Sequence, residues 1–269
     1  MQIKAHNKST IRRKRVKIRY LLQDTQIRMS QWFDSFFPQS FRIDGERDFR
    51  ENIVPKFLNR PGQLVYELGA GRMPVISAEE KEKYDLKIIG VNQSDYELSL
   101  APKGVYDKMI VADIATFYGS GDADMVVGET IFNQIENCNH AMQRINIMMK
   151  PGGMGIFYVI SKRSSFARLS CLLSNHYLRK LLFRIFPQKG KGYDLSKTKY
   201  VECSPKDLHR MASANGMEVL SIRPYFKGPY YQAVFPVYVF WRIWNAFYRL
   251  FSEQEAAESF TMIMQKKWG

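Results

Sequence analysis

Val65 to Pro74 reads VYELGAGRMP, an apolar run that ends in Glu67-Leu68 and then breaks at Gly69 and Gly71. This is the pattern of a buried strand running into a tight turn, where glycine permits positive φ and close approach of a ligand to the backbone. A G-x-G is a weak signal on its own, and an ordinary turn fits it equally well. The next residues sharpen it. In a dinucleotide fingerprint the sixth position is Gly or Ala, so that a helix N-terminus can sit against a pyrophosphate. Here that position is Pro74. The ligand expected at this turn therefore need not carry phosphate, and Glu67 suits a cation better than a pyrophosphate.

Downstream of this turn, short apolar runs alternate with polar, helix-compatible stretches, which predicts a parallel sheet with crossover helices. Strands are expected at 63–68, 86–92, 108–112, 123–128 and 154–160. Ala141, Ile145, Met148 and Met149 recur at helical spacing, and Lys150-Pro151-Gly152-Gly153 is read as the stop. Ser204-Pro205-Lys206-Asp207 is a capping box with Pro at the first helical position, and Gly216 closes that helix. Met217 to Arg223 and Ser259 to Lys266 complete seven strands, the last two expected to pair antiparallel. The predicted fold is α/β and Rossmann-like, with a basic arm and lead-in over 1–60 and the main domain over 61–269. A helical cap insertion is expected over 162–203 and an aromatic helix over 230–252.

The formal charge of +14 is concentrated. Residues 1–20 hold eight Lys or Arg and no acid, and residues 162–199 hold ten against the single Asp194. Two such runs favour an anionic partner over a merely solvated face. Cys138, Cys171 and Cys203 form no C-x-x-C pair, and the four histidines lack metal-ligand spacing, so neither a disulfide framework nor a metal site is expected. A reducing cytoplasm fits. The basic N-terminus lacks the apolar core of a secretory signal.

The most apolar stretch, Phe235 to Phe251, is too short and too interrupted for a membrane span. Its Arg242, Asn245 and Arg249 fall at i, i+3 and i+7 and make one polar stripe on an aromatic helix. Packing on the sheet or on a second copy is the simpler reading of its apolar side. Contact with an anionic membrane surface, at the inner face, is the sharper one.

Further candidate site residues lie where the predicted strands end. Asn92 follows the second strand, where a Rossmann-type site places a ribose acceptor, with Gln93 beside it and Asp95 as an alternative carboxylate. An Asn carbonyl accepts one such bond without charge. Asp113, ahead of Ile114, follows the third strand, where a carboxylate can accept from an adenine amino group; it also suits a turn or helix start. Glu129 follows the fourth strand.

Taken together, ELGAGRMP, GVNQSDYEL, APKGVYDKMIVADI, the stretch from Met125 to Asn137, and KPGG resemble class I S-adenosylmethionine-dependent methyltransferases of the bacterial small-molecule type, nearest to enzymes of cell-envelope polysaccharide pathways. The resemblance covers residues 40–267. It implies S-adenosylmethionine as cofactor, its methionine end held by Glu67, Gly69 and Gly71 around Ala70, its ribose by Asn92 and its adenine by Asp113. Asn92 departs from the family's usual Asp.

The function so implied is methyl transfer by in-line displacement to a small-molecule or glycan acceptor, with an anionic nucleotide-linked or lipid-linked sugar as the leading class. An RNA or DNA methyltransferase using the basic arm, and a non-catalytic binding protein, are the alternatives. Against nucleic acid, the chain has no N/D/S-P-P-Y/F signature. Glu129, His140, Tyr193 and Tyr200 are possible bases or substrate contacts, and none is assigned a catalytic role.

Overall fold

The computed structural model describes residues 23–172, 202–228, 231–252 and 254–268. Seven strands form a single sheet: β1 (Leu64–Leu68), β2 (Lys87–Asn92), β3 (Lys108–Val111), β4 (Ala123–Glu129), β5 (Met149–Ile160), β6 (Met217–Tyr225) and β7 (Ser259–Lys266). Their order across the sheet is β3-β2-β1-β4-β5-β7-β6. The pairs among β1 to β5 are parallel, and β7 runs antiparallel to both β5 and β6. The Rossmann-like architecture expected from the sequence is the one observed.

The central strands read as near-continuous apolar runs because parallel strands are covered on both faces. Val65, Leu68, Ile88, Val91, Val126 and Val127 are all buried in one core. Helices α2 (Ala78–Lys83), α3 (Asp95–Ser99) and α4 (Cys138–Met148) follow β1, β2 and β4. The α4 stripe expected as core material is buried at Ala141, Ile145 and Met148.

β5 begins five residues earlier than its expected start, at Met149, so Lys150 to Gly153 lie within the strand and do not merely end a helix. The pairing explains this: it jumps from Ala123 opposite Met149 to Met125 opposite Met154, a bulge that absorbs the Pro-Gly-Gly run.

Helix α5 (Ser165–Leu172) opens the expected cap insertion, and residues 173–201 of that insertion lie outside the described residues. Helix α6 (Pro205–Ala214) starts with the capping box read from the sequence, Ser204 Oγ accepting from the Asp207 N–H and Asp207 returning the bond. Gly216, at φ 77°, turns the chain into β6.

The lead-in is part of the same core. A helix over residues 23–34, α1, is followed by two short turns, Gln39–Arg42 and Gly45–Asp48, and by a π-helical turn, Phe49–Ile53. Phe49, Ile53, Val54 and Leu58 are buried in the main cluster. Each such side chain contributes roughly 1.5 to 3 kcal/mol by leaving water.

The aromatic helix α7 (Phe235–Phe251) links β6 to β7, and its polar stripe faces inward. Arg242 is fully buried, and Asn245 is buried with it. Arg242 donates from Nε to Asp34 Oδ1 at 2.6 Å, and from its terminal nitrogens to the carbonyls of Phe226 and Phe41. The buried charge is thus paired and hydrogen-bonded, the condition for keeping it out of water. The helix's apolar side is left facing out.

Among the described residues, no helix is long and apolar enough to cross a membrane, and no cluster of His, Cys, Asp and Glu could hold a metal.

Candidate cofactor site

In an open parallel sheet, ligands bind beyond the carboxyl ends of the strands where crossovers diverge. Here that point lies between β1, whose chain continues to β2, and β4, whose chain continues to β5. A crevice of about 580 Å³ opens there. It is lined by the residues that follow β1 (Gly69), β2 (Gln93, Ser94), β3 (Ala112, Asp113, Ile114) and β4 (Thr130, Ile131), with Asn92 ending β2 and Glu129 ending β4. Such a volume suits a cofactor-sized molecule.

The turn after β1 is pinned from behind. Gly69 and Ala70 donate their N–H groups to the Val91 carbonyl at the end of β2. Gly69 adopts φ 78°, and a Cβ there would stand 2.9 Å from Ile131 Cγ2. Gly71 lets the turn settle on α3, where a Cβ would stand 3.2 Å from the Glu97 carbonyl oxygen. Ala70 is buried against Gly90. Of the nine cofactor residues expected from the sequence, Gly69, Asn92, Gln93, Asp113, Ile114 and Glu129 line the crevice, Glu67 lines a hollow beside it, and Ala70 and Gly71 line neither.

Glu67 is buried at the end of β1. Its Oε1 accepts from the Val75 N–H at 2.8 Å and from Tyr106 Oη at 2.9 Å, while Oε2 has no hydrogen-bond partner. Burial pushes the carboxyl up to about 7, against the opposing pull of those two hydrogen bonds. With Gly69 and Glu129 it lines a narrow hollow adjoining the crevice.

Asn92 lines the crevice with its amide engaged on both sides. Nδ2 donates to the Ala70 carbonyl at 2.7 Å, and Oδ1 accepts from the Ser94 N–H at 2.9 Å. The side chain thereby ties the first turn to the second, which a carboxylate could not do at the donor end. Asp95 is exposed at the start of α3 and does not line the crevice. Glu97 does, its carboxylate held by a two-pronged pair with Arg72, Nε to Oε2 at 3.0 Å and a terminal nitrogen to Oε1 at 2.7 Å.

Asp113 is exposed at the crevice edge, Oδ1 accepting from the Ala115 N–H. Thr130 is held in the left-handed region, at φ 57°, with its N–H donating to the Tyr158 carbonyl at 2.7 Å. A β-branched residue in that region is strained, and such strain concentrates at functional sites.

The sequence reading missed Arg50. It reaches from the lead-in to donate to Glu129 Oε2 at 2.7 Å and to the Pro74 carbonyl at 2.6 Å, bracing the fourth strand's end against the first turn. His140 is exposed in the first turn of α4, whose Asn137 cap lines the crevice. Tyr193 and Tyr200 lie outside the described residues.

Four carboxylates, Glu97, Asp113, Glu129 and Glu136, line the crevice, and among the described residues no Lys or Arg does. Arg50 and Arg72 pair with two of these acids from outside the lining. This donor set fits a cation and repels a pyrophosphate.

No family model matches the chain, and no curated protein is similar to it at the level of sequence. Solved structures are similar to it in three dimensions. A phosphoethanolamine N-methyltransferase 2 from Haemonchus contortus, in complex with S-adenosyl-L-methionine, is 15% identical with a TM-score of 0.53, over 91% of this chain and 57% of that one. An S-adenosylmethionine-dependent methyltransferase from Thermotoga maritima, described as a possible histamine N-methyltransferase, is 16% identical with a TM-score of 0.51, over 91% of this chain and 100% of that one. The fold is that of the class I methyltransferases. The same fold also serves the [4+2]-cyclase SpnF, 12% identical with a TM-score of 0.50 over 80% of each chain. Within this fold, chemistry is set by the site and not by the architecture.

Proposed function

We propose that the chain is an S-adenosylmethionine-dependent methyltransferase acting on a small-molecule or glycan acceptor. The observation that carries this reading is the acidic crevice at the switch point, with four carboxylates and, among the described residues, no Lys or Arg in its lining, which Gly69 of the first turn completes. When bound, the cofactor supplies a methyl group on a sulfonium, and its transfer leaves a neutral thioether and methylates the acceptor's nucleophile.

In this reading Glu67 and the Gly69 turn hold the methionine end, where buried negative charge favours the ammonium and sulfonium. Asn92 and Glu97 face the ribose, and Asp113, with Gln93 and Ile114, takes the adenine. Arg50 is a positioning residue that fixes Glu129 and the Pro74 carbonyl relative to one another. Holding the reactants in line is the protein's main contribution, since proximity and orientation can supply about 7 to 11 kcal/mol of such a barrier. No base is assigned.

For the acceptor, support comes from charge. The described crevice lining is acidic, whereas residues 162–199 carry ten Lys or Arg against one Asp, and that basic segment favours an acceptor bearing an anionic group. A nucleotide-linked or lipid-linked sugar of a polysaccharide pathway fits that division, and a lipid-linked one would place the chain at a membrane surface. Incubation with S-adenosylmethionine labelled in its methyl group, with nucleotide sugars, lipid-linked sugars, tRNA and DNA in parallel, tests this. Label in a sugar acceptor is expected; label in tRNA or DNA would overturn the acceptor class.

A further inference from the structure

The outward side of α7 is apolar from end to end. Pro236, Val237, Phe240, Ile243, Trp244, Phe247, Leu250 and Phe251 are its exposed residues, at the i, i+3, i+4, i+7 spacing of one helix face. Phe240, Leu250 and Phe251 are 72%, 79% and 73% exposed. A contiguous apolar stripe on a folded chain marks a contact surface. The cause of the inversion is plain in the packing: Arg242 and Asn245 are consumed inside, by Asp34, Phe41, Phe226 and the Ala256 carbonyl.

What lies around the stripe selects its occupant. The helix contains no acidic residue. Arg168 stacks over the Tyr248 ring at 5.6 Å, placing a guanidinium group beside the helix, while Arg249 stacks inward over the Phe41 ring at 4.6 Å. Helix α1 is docked against α7, Gln26 Oε1 accepting from the Phe235 N–H at 2.8 Å and the rings of Phe33 and Phe235 meeting at 6.3 Å. α1 adds its own outward aromatic pair, Trp32 and Phe36, both more than 60% exposed. Residues 1–20, which precede α1 in the sequence, hold eight Lys or Arg and no acid. An exposed aromatic face combined with a polybasic segment is the two-signal arrangement that holds a protein on an anionic bilayer without crossing it.

We propose that the outward face of α7 docks on an anionic lipid surface, Trp244, Phe247 and Phe251 entering the headgroup region while the basic arm of residues 1–20 binds the lipid charge. This rests on the exposed face and the charge, and is independent of the methyl-transfer reading.

The test is sedimentation of the full chain with vesicles of phosphatidylcholine and phosphatidylglycerol at three to one, against phosphatidylcholine alone. Binding to the anionic vesicles is expected, at least tenfold weaker on the neutral ones and weakened by added salt. Trp244→Glu with Phe247→Glu should lower it at least tenfold, and so should Gln at Arg12, Arg13, Lys14 and Arg15. Circular dichroism should show both variants folded, since Trp244 and Phe247 are more than half exposed. The proposal is overturned if the chain ignores both kinds of vesicle. It is equally overturned if the two Glu substitutions leave vesicle binding intact, or if they dissociate a dimer of a chain that binds no lipid.

Discussion

Arg242 Nε stands 2.6 Å from Asp34 Oδ1, joining α7 to a helix 208 residues earlier in the chain. Tyr238 donates to the other carboxylate oxygen of Asp34 at 2.5 Å, so the acid is satisfied on both sides. This pair decides which face of α7 is buried and ties the lead-in to the C-terminal half of the sheet. Removing one partner leaves the other charge buried and unpaired, which typically costs about 3 to 5 kcal/mol. Arg242→Met and Asp34→Asn are each expected to lose that much in urea unfolding. Arg47→Ala, which breaks the exposed pair with Glu51, should lose under about 1 kcal/mol.

Glu67 makes stability depend on pH. Its folded carboxyl sits at about 7 because of burial, against 4.5 as the ordinary value, so the folded state keeps a proton that the unfolded state gives up. The contribution is full below about pH 4.5 and is lost as pH rises through about 7, a difference on the order of 3 kcal/mol. Urea midpoints measured from pH 5 to pH 8 should fall for the parent chain, and Glu67→Gln should remove most of that fall. A bound cation favours the ionised form, so affinity for S-adenosylmethionine should rise across the same interval.

Gly69 and Gly104 separate backbone strain from crowding. Both adopt positive φ, 78° and 83°, but a Cβ at Gly69 meets Ile131 at 2.9 Å whereas one at Gly104 meets nothing within 4 Å. Ala at either position should cost about 1 to 2 kcal/mol of backbone strain. Only Gly69→Ala should also weaken cofactor binding, by tenfold or more in calorimetry.

Arg50→Ala removes the guanidinium bonds to Glu129 and the Pro74 carbonyl without altering a residue of the crevice lining. Loss of these charge-assisted bonds is expected to weaken S-adenosylmethionine binding about tenfold, or about 1.4 kcal/mol. Arg50→Lys should restore little, because one ammonium cannot span Glu129, Met73 and Pro74 as the guanidinium fork does.

Much of the fold was legible because buried parallel strands leave continuous apolar runs and helix starts leave local caps. β1, β2 and β7, and the Ser204 capping box, fall within a residue of where the sequence puts them. Six of nine expected cofactor residues reach the crevice for the same reason: each ends or follows a strand, and the strand ends converge. Arg50 was not legible, since its partner Glu129 lies 79 residues away and no local pattern records the pair. Nor was the sense of α7. Periodicity shows that Arg242 and Asn245 share a face, but it does not show that Asp34 waits beneath it.

The most direct measurement is isothermal titration of the full chain with S-adenosylmethionine, with NAD⁺ as the phosphate-bearing comparison. The account predicts saturable one-to-one heat for S-adenosylmethionine, weakened by Asp113→Ala, and none for NAD⁺. Binding of NAD⁺ with no response to S-adenosylmethionine would contradict it.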